Sequence, residues 1–530
     1  MIPLNVHSYY TFLNGVIPIK ALVERAASYN LPALALTDNE STHGHIQFAK
    51  ECKAAGIKPI FGATLFFGEH ADDYIILLAK NNAGYSFLCT LITQKKLSKL
   101  LLEHIATRSE WGNLIYLTPN LEYYNKLKAK HKYLEIKLKY AHKQQNYNIL
   151  ASYYESNIEC IISAPIVFLD EGDFVLHKTV SAISNRKTLG SVDETTLADK
   201  SNYFIDPRKI KSKFAAFDKY FKNCEIISEL CNVDLNLGAY KFPKFHSSNP
   251  TEHRSVLRSI CYDGLKKRYS EIAAEHTKRL EYELDVIDEL HFTDYFLIVW
   301  DIVREAKMRG MVTIGRGSAA NSIVSYCLGI TEVDPLKYGL YFERFLNRSR
   351  LSPPDIDLDF SWKERDEIIK YVFEKYGYEK VAMISTIVTF RARSAFRETA
   401  KVFGLSNEQI SKYTKFIPWT SAKNLEQLPE LFPESRDFDV KSEPLKSIVK
   451  IASQLSGFPR HTSIHPSGIV ITPDNITNYT ALEFAKNKGI GLIVTQPDMY
   501  SLEDLGLIKI DLLSQRSLGV LRDTISRINK

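Results

Sequence analysis

One short segment, from Pro354 to Phe360, constrains the fold more than any other part of this sequence. It reads Pro-Asp-Ile-Asp-Leu-Asp-Phe, so acidic residues alternate with apolar ones. Successive side chains of a β-strand point to opposite faces, and the carboxylates of Asp355, Asp357 and Asp359 would therefore share one face. Asp is depleted from strands, and like charges in a row repel one another unless a cation lies among them. The segment predicts a strand whose acidic face is either solvated or a cation site.

Magnesium is the cation that suits such a face. Mg²⁺ takes one or two carboxylates together with substrate phosphates, and paired ions roughly 4 Å apart clamp an in-line displacement. A second acidic pattern, Lys509-Ile510-Asp511, lies in an apolar, strand-like segment further along the chain. Lys509 and Asp511 would share a face of that strand. The pair is compatible with a structural ion pair, and also with a third carboxylate that reaches the same site through the fold.

A glycine-rich turn precedes the acidic segment. Residues 311–314 are typical of a short strand, and Gly315, Arg316 and Gly317 predict a tight turn. Ser318 would then cap a helix that follows. A strand, loop and helix of this kind points free backbone N–H groups at an anion, so the turn is a candidate phosphate site.

Four motifs in a fixed order carry a resemblance to a known family. They are Gly315-Arg316-Gly317-Ser318-Ala319-Ala320, Asp334-Pro335-Leu336, Phe342-Glu343-Arg344-Phe345-Leu346-Asn347 and the acidic segment itself. Together they resemble the palm of the bacterial C-family DNA polymerases, the alpha subunits of DNA polymerase III. The resemblance extends over nearly the whole chain, but only over the front part of the family's protein.

The resemblance implies a nucleotidyl transfer to a primer 3′-hydroxyl by two-metal chemistry. Asp357, Asp359 and Asp511 are then expected to be catalytic and to hold two Mg²⁺ ions, with Asp355 behind them orienting the strand or a ligand. The residues expected to bind the nucleotide are those of the glycine loop and one of the last strand: Gly315, Arg316, Gly317, Ser318 and Lys509.

The first 225 residues alternate short apolar runs with helical patterns, which is typical of an α/β domain with mostly parallel strands. Motifs such as Val6-His7-Ser8 and Leu36-Thr37-Asp38 resemble the polymerase-and-histidinol-phosphatase (PHP) domain that opens the family's protein. Most of that domain's metal-ligand positions carry other residues here: Asn5, Asn39, Thr64, Tyr74, Pro165 and Val167. Amides, a hydroxyl, a proline and a valine do not suit a cluster of divalent ions. We therefore expect no catalytic metal in this domain.

The expected fold class is multi-domain α/β. A PHP-type, barrel-like α/β domain is predicted for residues 1–225. A polymerase-beta-like nucleotidyltransferase palm is predicted for residues 226–390 and 467–530, with a helical thumb inserted at residues 391–466.

Basic side chains in the predicted thumb are candidates for DNA binding. Arg393, Arg397 and Lys401 recur every four residues and share one helix face, which is either an ordinary solvated face or a track for a phosphate backbone. Arg460 and His461 lie in a loop that also matches the family, where either could meet phosphates.

Composition sets broad limits. The chain has 530 residues, of which 45% are hydrophobic and 25% charged, enough for several cores. Its net charge of +6 permits nucleic-acid binding without requiring it. Seven cysteines without paired metal spacing are typical of buried thiols in a reducing compartment. No apolar run approaches the ~20 residues of a membrane span, and no basic-then-apolar leader is present, so a cytoplasmic location is predicted.

The resemblance also implies partners. Primed DNA template and dNTPs are the expected substrates, and no membrane partner is expected. In the family a long stretch with the fingers follows the third carboxylate, so processive synthesis is expected to need a separate chain carrying fingers, with sliding-clamp and proofreading subunits. A fragment, half of a split polymerase and an interrupted reading frame all remain open. The alternative function is a non-catalytic DNA- or partner-binding module.

Overall fold

A computed structural model describes residues 1–108, 112–138, 143–154, 156–245, 250–349, 353–485 and 492–529. The chain divides into two compact units. The first unit comprises Met1–Leu235, Thr386–Ser463 and Thr477–Asn487, and the second comprises Asn236–Ser385, Ile464–Ile476 and Lys488–Lys530.

The amino-terminal part of the first unit alternates strands and helices. Its elements are α1 (Ile19–Ser28), β1 (Ala33–Leu36), α2 (His45–Ala55), β2 (Lys58–Phe66), β3 (Tyr74–Ala79), α3 (Asn82–Leu97), α4 (Leu102–Arg108), β4 (Leu114–Thr118), α5 (Leu121–Lys126), β5 (Lys132–Lys137), α6 (Lys143–Tyr154), β6 (Cys160–Ser163), α7 (Phe174–Asn185), α8 (Pro207–Lys213) and α9 (Asp218–Leu230).

The six strands form one sheet in sequential order, β1-β2-β3-β4-β5-β6. The pairs β1–β2, β4–β5 and β5–β6 are parallel, whereas β3 is antiparallel to both of its neighbours. The loop between β2 and β3 is too short for a crossover helix, and a short connection requires a hairpin. The sheet is therefore more mixed than the sequence pattern predicted.

This sheet is buried on both faces. Ile75 and Leu77 of β3 join one apolar core, while Ile76 and Leu78 of the same strand join another. All four side chains are fully buried. A strand with two buried faces is continuously apolar, which explains why the strands of this region lack alternation.

The first part of the second unit, Asn236–Ser385, begins with helices and continues with strands. The elements from Pro250 onward are α10 (Pro250–Arg268), α11 (Ala274–Glu289), α12 (Thr293–Met308), β7 (Thr313–Arg316), α13 (Ile323–Cys327), β8 (Asp357–Ser361), α14 (Arg365–Tyr376) and β9 (Val381–Thr389), whose last residues belong to the first unit.

A helical segment of the first unit follows, with α15 (Ala392–Val402), α16 (Asn407–Thr414), α17 (Leu428–Leu431) and α18 (Leu445–Gln454). The next strand, β10 (Pro459–Ile471), begins in residues of the first unit and ends in residues of the second, and β11 (Leu482–Phe484) belongs to the first unit. The last elements, all of the second unit, are β12 (Ile493–Asp498), α19 (Met499–Asp504), β13 (Lys509–Gln515) and α20 (Arg516–Ile528). Phe396 of α15 and Ile448 of α18 are buried in one apolar core with the surrounding turns.

The sheet of the second unit runs β12-β9-β10-β13-β8-β7. Strand β13 lies between β10, to which it is antiparallel, and β8, to which it is parallel. Strand β7 closes the edge antiparallel to β8. The strand that comes last in the chain is thus a central strand of the sheet.

Among the described residues, no helix combines the length and apolar character that crossing a bilayer requires.

Candidate active site

The acidic segment forms the strand that the sequence predicts. Strand β8 begins at Asp357, and Asp355 lies just before it. Ile356, Leu358 and Phe360 are buried on the apolar face. Asp357 pairs with Asp511 on one side, so the register of β8 and β13 places these two carboxylates next to each other.

Three carboxylates come together at this point. Asp355, Asp357 and Asp511 each offer an oxygen, and these oxygens lie within 4.8 Å of one another. Asp355 is exposed, Asp357 is half-buried and Asp511 is buried, so the cluster opens to solvent on one side. Such a cluster can bind a divalent cation and leave coordination positions for a substrate.

Asp359 does not lie in this cluster. It is one pleat further along β8, opposite Leu513, and is 9% exposed. The Nε of Arg316 lies 3.2 Å from its Oδ1, and the side chain of Gln515 donates to the same oxygen at 3.2 Å. The structure therefore brings Asp355 rather than Asp359 together with Asp357 and Asp511, since the register with β13 places Asp511 opposite Asp357 and Leu513 opposite Asp359. Which of these acids bind metal stays a prediction.

Lys509 and Ser467 hold Asp511 from two sides. The Nζ of Lys509 lies 2.9 Å from Asp511 Oδ2 and 3.6 Å from Asp355 Oδ1, and Ser467 Oγ donates to Asp511 Oδ1 at 2.7 Å. Lys509 therefore forms the structural ion pair with Asp511 that the sequence left open, inside the acidic cluster. Ser467 was not predicted from the sequence. It lies beside Asp511 because its neighbour on β10, Gly468, pairs with Asp511 of β13.

The charges of the cluster and of the neighbouring Asp359 and Arg316 sum to a net negative charge that a cation would reduce. Asp355, Asp357, Asp359 and Asp511 carry four negative charges when ionised, and Arg316 and Lys509 supply two positive ones, so the balance is −4 + 2 = −2. Burial raises the pKa of Asp357, and the charges of Asp355 and Asp511 raise it further. A divalent cation would relieve this repulsion, so the residues present fit Mg²⁺.

The glycine loop lies beside the acids, but Gly315 and Arg316 belong to strand β7 rather than to the predicted turn, which begins at Gly317. Arg316 pairs with Asp357 in the β7–β8 register. A Cβ on Gly315 would lie 2.2 Å from the carbonyl oxygen of Ile330, so only glycine permits this close approach of the two backbones. Gly317 has a φ of +78°, which is a left-handed conformation that favours glycine.

The helix after the loop begins later than predicted. Gly317–Asn321 forms a 3₁₀ turn in which Ser318 is an internal residue and Arg316 occupies the N-cap position. The α-helix α13 begins at Ile323, and Ser322 is its cap, accepting a hydrogen bond from the backbone N–H of Ser325. The expectation that Ser318 caps the helix is thus wrong, since the glycine at position 317 turns the chain through one extra tight turn first.

The buried carboxylate of Glu283 accepts hydrogen bonds from the segment that follows the glycine loop. Glu283 of α11 is fully buried, and it accepts hydrogen bonds from Ser322 Oγ at 2.7 Å and from the backbone N–H of Val324 at 3.2 Å. The guanidinium of Arg279 lies 2.6 Å from Glu283 and also donates to the carbonyl oxygens of Asn321 and Leu340. This network fixes the turn to α11, and sequence reasoning did not find it.

The candidate DNA-binding side chains all lie in the first unit. Arg393 donates to the carbonyl oxygen of Ile417. Arg460 and Lys401 both approach Glu398, at 2.8 and 3.3 Å respectively. Arg397, on the same helix, is half-buried. His461, with Arg460, lines a cavity of about 690 Å³ in this unit. The prediction that these residues bind DNA is not tested by these contacts.

The PHP-type cleft contains a hydrogen-bond network. The cleft has a volume of about 740 Å³, and Asn5, His7 and Thr64 contribute to its lining. Asn5 donates to the buried carboxylate of Glu135 at 2.7 Å, and the hydroxyl of Tyr74 donates to the same carboxylate at 2.8 Å. Burial lowers the pKa of His7 to about 4. Asn5 and Tyr74 thus act as hydrogen-bond donors at positions where the family's metal-binding members have ligands.

Asp38 provides a pH-dependent prediction for this network. Its carboxylate is buried and accepts hydrogen bonds from Ser8 and Thr11, yet burial raises its pKa from 3.8 to about 7. The folded protein therefore holds a proton that the unfolded chain releases, and the free energy of unfolding falls as pH rises from about 4 to about 7.

In an Asp38→Asn variant, the free energy of unfolding should not fall in this way as pH rises. The amide can bond to the same two hydroxyls but does not titrate, so the wild type should lose on the order of 2–4 kcal/mol relative to the variant across that window. Thermal unfolding of both proteins at pH 4.5, 6 and 7.5 measures the difference. Parallel pH dependences of the two proteins would contradict the prediction.

Comparison with known proteins gives two family matches. The model described as the bacterial DNA polymerase III alpha NTPase domain matches residues 255–514, and the PHP domain model matches residues 3–224. These two regions leave only short parts of the chain unmatched.

Several curated proteins are similar along nearly the whole chain. The DNA polymerase III subunit alpha of Halalkalibacterium halodurans is 34% identical over 99% of this chain and 49% of its own length. That of Bacillus subtilis is also 34% identical, over 99% of this chain and 49% of its length. An error-prone DNA polymerase of Symbiobacterium thermophilum is 33% identical over 99% of this chain and 52% of its length. The chain spans about half the length of the curated relatives it matches.

Proposed function

Because the chain belongs to the family of bacterial DNA polymerase III alpha subunits, with a PHP domain followed by a nucleotidyltransferase-type domain, we propose that it supplies the catalytic palm of a DNA-directed DNA polymerase. The reaction is the template-directed transfer of a deoxynucleotide from a dNTP to a primer 3′-hydroxyl. The cytoplasm is the compartment in which we expect it to act.

The observation that carries this proposal is the cluster of Asp355, Asp357 and Asp511 beside the glycine loop. Oxygens from these three side chains lie within 4.8 Å of one another. Asp355 and Asp357 belong to one segment and Asp511 to a segment far away in the sequence, and an ordinary solvated strand face gives no reason to bring Asp511 to the other two. Paired carboxylates next to a phosphate-binding turn are the parts that phosphoryl transfer requires.

We assign the metal-binding role to Asp355, Asp357 and Asp511. Two Mg²⁺ ions bound there would lower the pKa of the primer hydroxyl and neutralise the triphosphate and the leaving pyrophosphate. Asp359 is then a positioning residue, because it fixes the guanidinium of Arg316 at the edge of the cluster.

The remaining residues of the site have separate tasks. Arg316 is exposed, and its guanidinium can form paired hydrogen bonds with a phosphate while it stays near Asp357. Gly315 in β7 and Gly317 and Ser318 in the following turn provide the backbone that the triphosphate approaches. Lys509 holds Asp511 in place and can exchange that ion pair for a phosphate when the nucleotide enters.

Base choice on this proposal comes from template pairing, so the protein's contacts with the primed template are to phosphates. Arg393, Arg397, Lys401, Arg460 and His461 are the proposed contacts. Such contacts bind all sequences alike and weaken steeply with salt. A separate chain carrying fingers, a sliding clamp and proofreading subunits are the proposed partners of a complete replicase.

Primer extension tests the proposal directly. With a primed template, dNTPs and Mg²⁺, the chain alone or supplemented with cell extract should extend the primer, whereas chelation of the metal or Asp357→Asn should abolish extension. Dependence on extract would indicate a partner that carries the fingers. If neither mixture extends the primer although the protein is folded and binds DNA, the non-catalytic binding module is the better description.

A further inference from the structure

One aromatic side chain of the helical segment lies almost entirely in solvent. Trp419 is 87% exposed, in the loop between α16 and the 3₁₀ turn Ala422–Gln427. A Trp side chain buries about 150–250 Å² when it packs against a partner. Single exposed apolar side chains are common on protein surfaces, so it is the surroundings of this ring that indicate a binding site.

The loop that carries Trp419 is anchored on both sides of the indole. Before it, Ile417 is fully buried, and its carbonyl oxygen accepts a hydrogen bond from Arg393. After it, the carbonyl oxygen of Thr420 accepts a hydrogen bond from the backbone N–H of Ala392 at 3.2 Å. The backbone on both sides of Trp419 is therefore anchored, near the amino-terminal end of α15.

A positive charge accompanies the exposed ring. The guanidinium of Arg391 lies 5.9 Å from the centroid of the Trp419 ring, within the range of a cation–π contact. Arg391 is itself exposed, and Arg393 and Arg397 follow it on α15. An exposed aromatic face beside basic side chains is the combination with which proteins bind single-stranded nucleic acids.

We propose that Trp419 and Arg391 form a stacking platform for an unpaired base of single-stranded DNA, with the guanidinium binding an adjacent phosphate. A base inside a duplex has both faces covered by its neighbours, whereas an unpaired base has a free face for the indole. This inference rests on the proposed function, which makes DNA the ligand, and it adds the state of the strand and the two residues that bind it.

Tryptophan fluorescence tests the stacking. Titration of the full chain with a short oligothymidylate should quench part of the emission, because a base stacked on an indole quenches it. The variant Trp419→Phe should lose that quenching, whereas Trp362→Phe, which removes another exposed tryptophan in the second unit, should retain it. Quenching that persists in Trp419→Phe would overturn the proposal.

Binding affinity gives the second readout. Trp419→Ala should weaken binding to a primed template with a single-stranded overhang by about tenfold or more, and should leave binding to a blunt duplex unchanged. Arg391→Ala should act in the same direction, and Trp362→Ala should not. Equal losses on overhang and blunt duplex, or equal losses for Trp419→Ala and Trp362→Ala, would overturn the proposal.

The two proposals fail in different ways. If the wild type extends primers but shows no quenching that depends on Trp419, only the stacking platform is refuted. If the wild type neither binds DNA nor extends a primer, the proposed function is refuted, and the platform with it. Because Trp419 packs against so little of the protein, its variants should unfold at the same temperature as the wild type, which confirms that any loss of binding is local.

Discussion

Asp355→Asn should reduce Mg²⁺-dependent primer extension at least about a hundredfold, as Asp357→Asn and Asp511→Asn should, whereas Asp359→Asn should cost about tenfold. The reason is the geometry of the cluster, in which Asp355, Asp357 and Asp511 share a space that Asp359 does not reach. The loss in Asp359→Asn would come from a displaced Arg316 rather than from a missing metal ligand.

Metal binding separates the two roles without relying on catalysis. Titration calorimetry with Mg²⁺ or Mn²⁺ should show weakened binding in Asp355→Asn and near-normal binding in Asp359→Asn, and circular dichroism should show that both variants are folded. The two variants are matched, since each neutralises one carboxylate of the same segment. Loss of metal binding in Asp359→Asn with normal binding in Asp355→Asn would instead favour Asp359 as the ligand, as the family resemblance implies.

Glu283→Ala should lower the free energy of unfolding of the second unit by about 3–5 kcal/mol. Removal of this buried carboxylate leaves the guanidinium of Arg279, the hydroxyl of Ser322 and the backbone N–H of Val324 without their acceptor. Leaving a buried charge without its partner lowers stability by much more than the intact pair contributes to it. Extension should also fall, because the turn of the glycine loop loses its support.

The control for this variant lies on the same helix. Glu275 is an exposed residue in the first turn of α11, and Glu275→Ala should change stability by less than about 1 kcal/mol. Urea unfolding followed by fluorescence and circular dichroism measures both variants. Similar midpoints for Glu283→Ala and Glu275→Ala would show that the buried network contributes nothing beyond an ordinary surface charge.

The sequence predicted the acidic strand but not which of its acids meet. Alternation along one strand shows that Asp355, Asp357 and Asp359 share a face, and this expectation is consistent with the buried Ile356 and Leu358 on the other face. Which two of the three approach Asp511 depends on the register between β8 and β13. That register is set by pairing between segments far apart in the chain, so no local pattern contains it.

The sequence did not predict the residues that support the site, for a related reason. Ser467 and Glu283 look like ordinary polar residues in the sequence, and they gain a role only through contacts across 44 and 39 residues of chain. The glycines at 315 and 317 predicted one tight turn, which the structure shows at Gly317, whereas Gly315 is required by the close approach of the Ile330 carbonyl oxygen. The start of the helix was misplaced since two serines, at 318 and 322, both suit a cap.

The position of β13 in the sheet has a consequence for how the protein is made. This central strand is synthesised long after its neighbour β8, since Asp511 follows its paired residue Asp357 by 511 − 357 = 154 positions. At about 5–20 residues per second, a ribosome needs roughly 8–30 s for that interval. Until then one edge of β8 lacks its permanent partner and the acids have no common site, so the nascent chain should depend on chaperones during this interval.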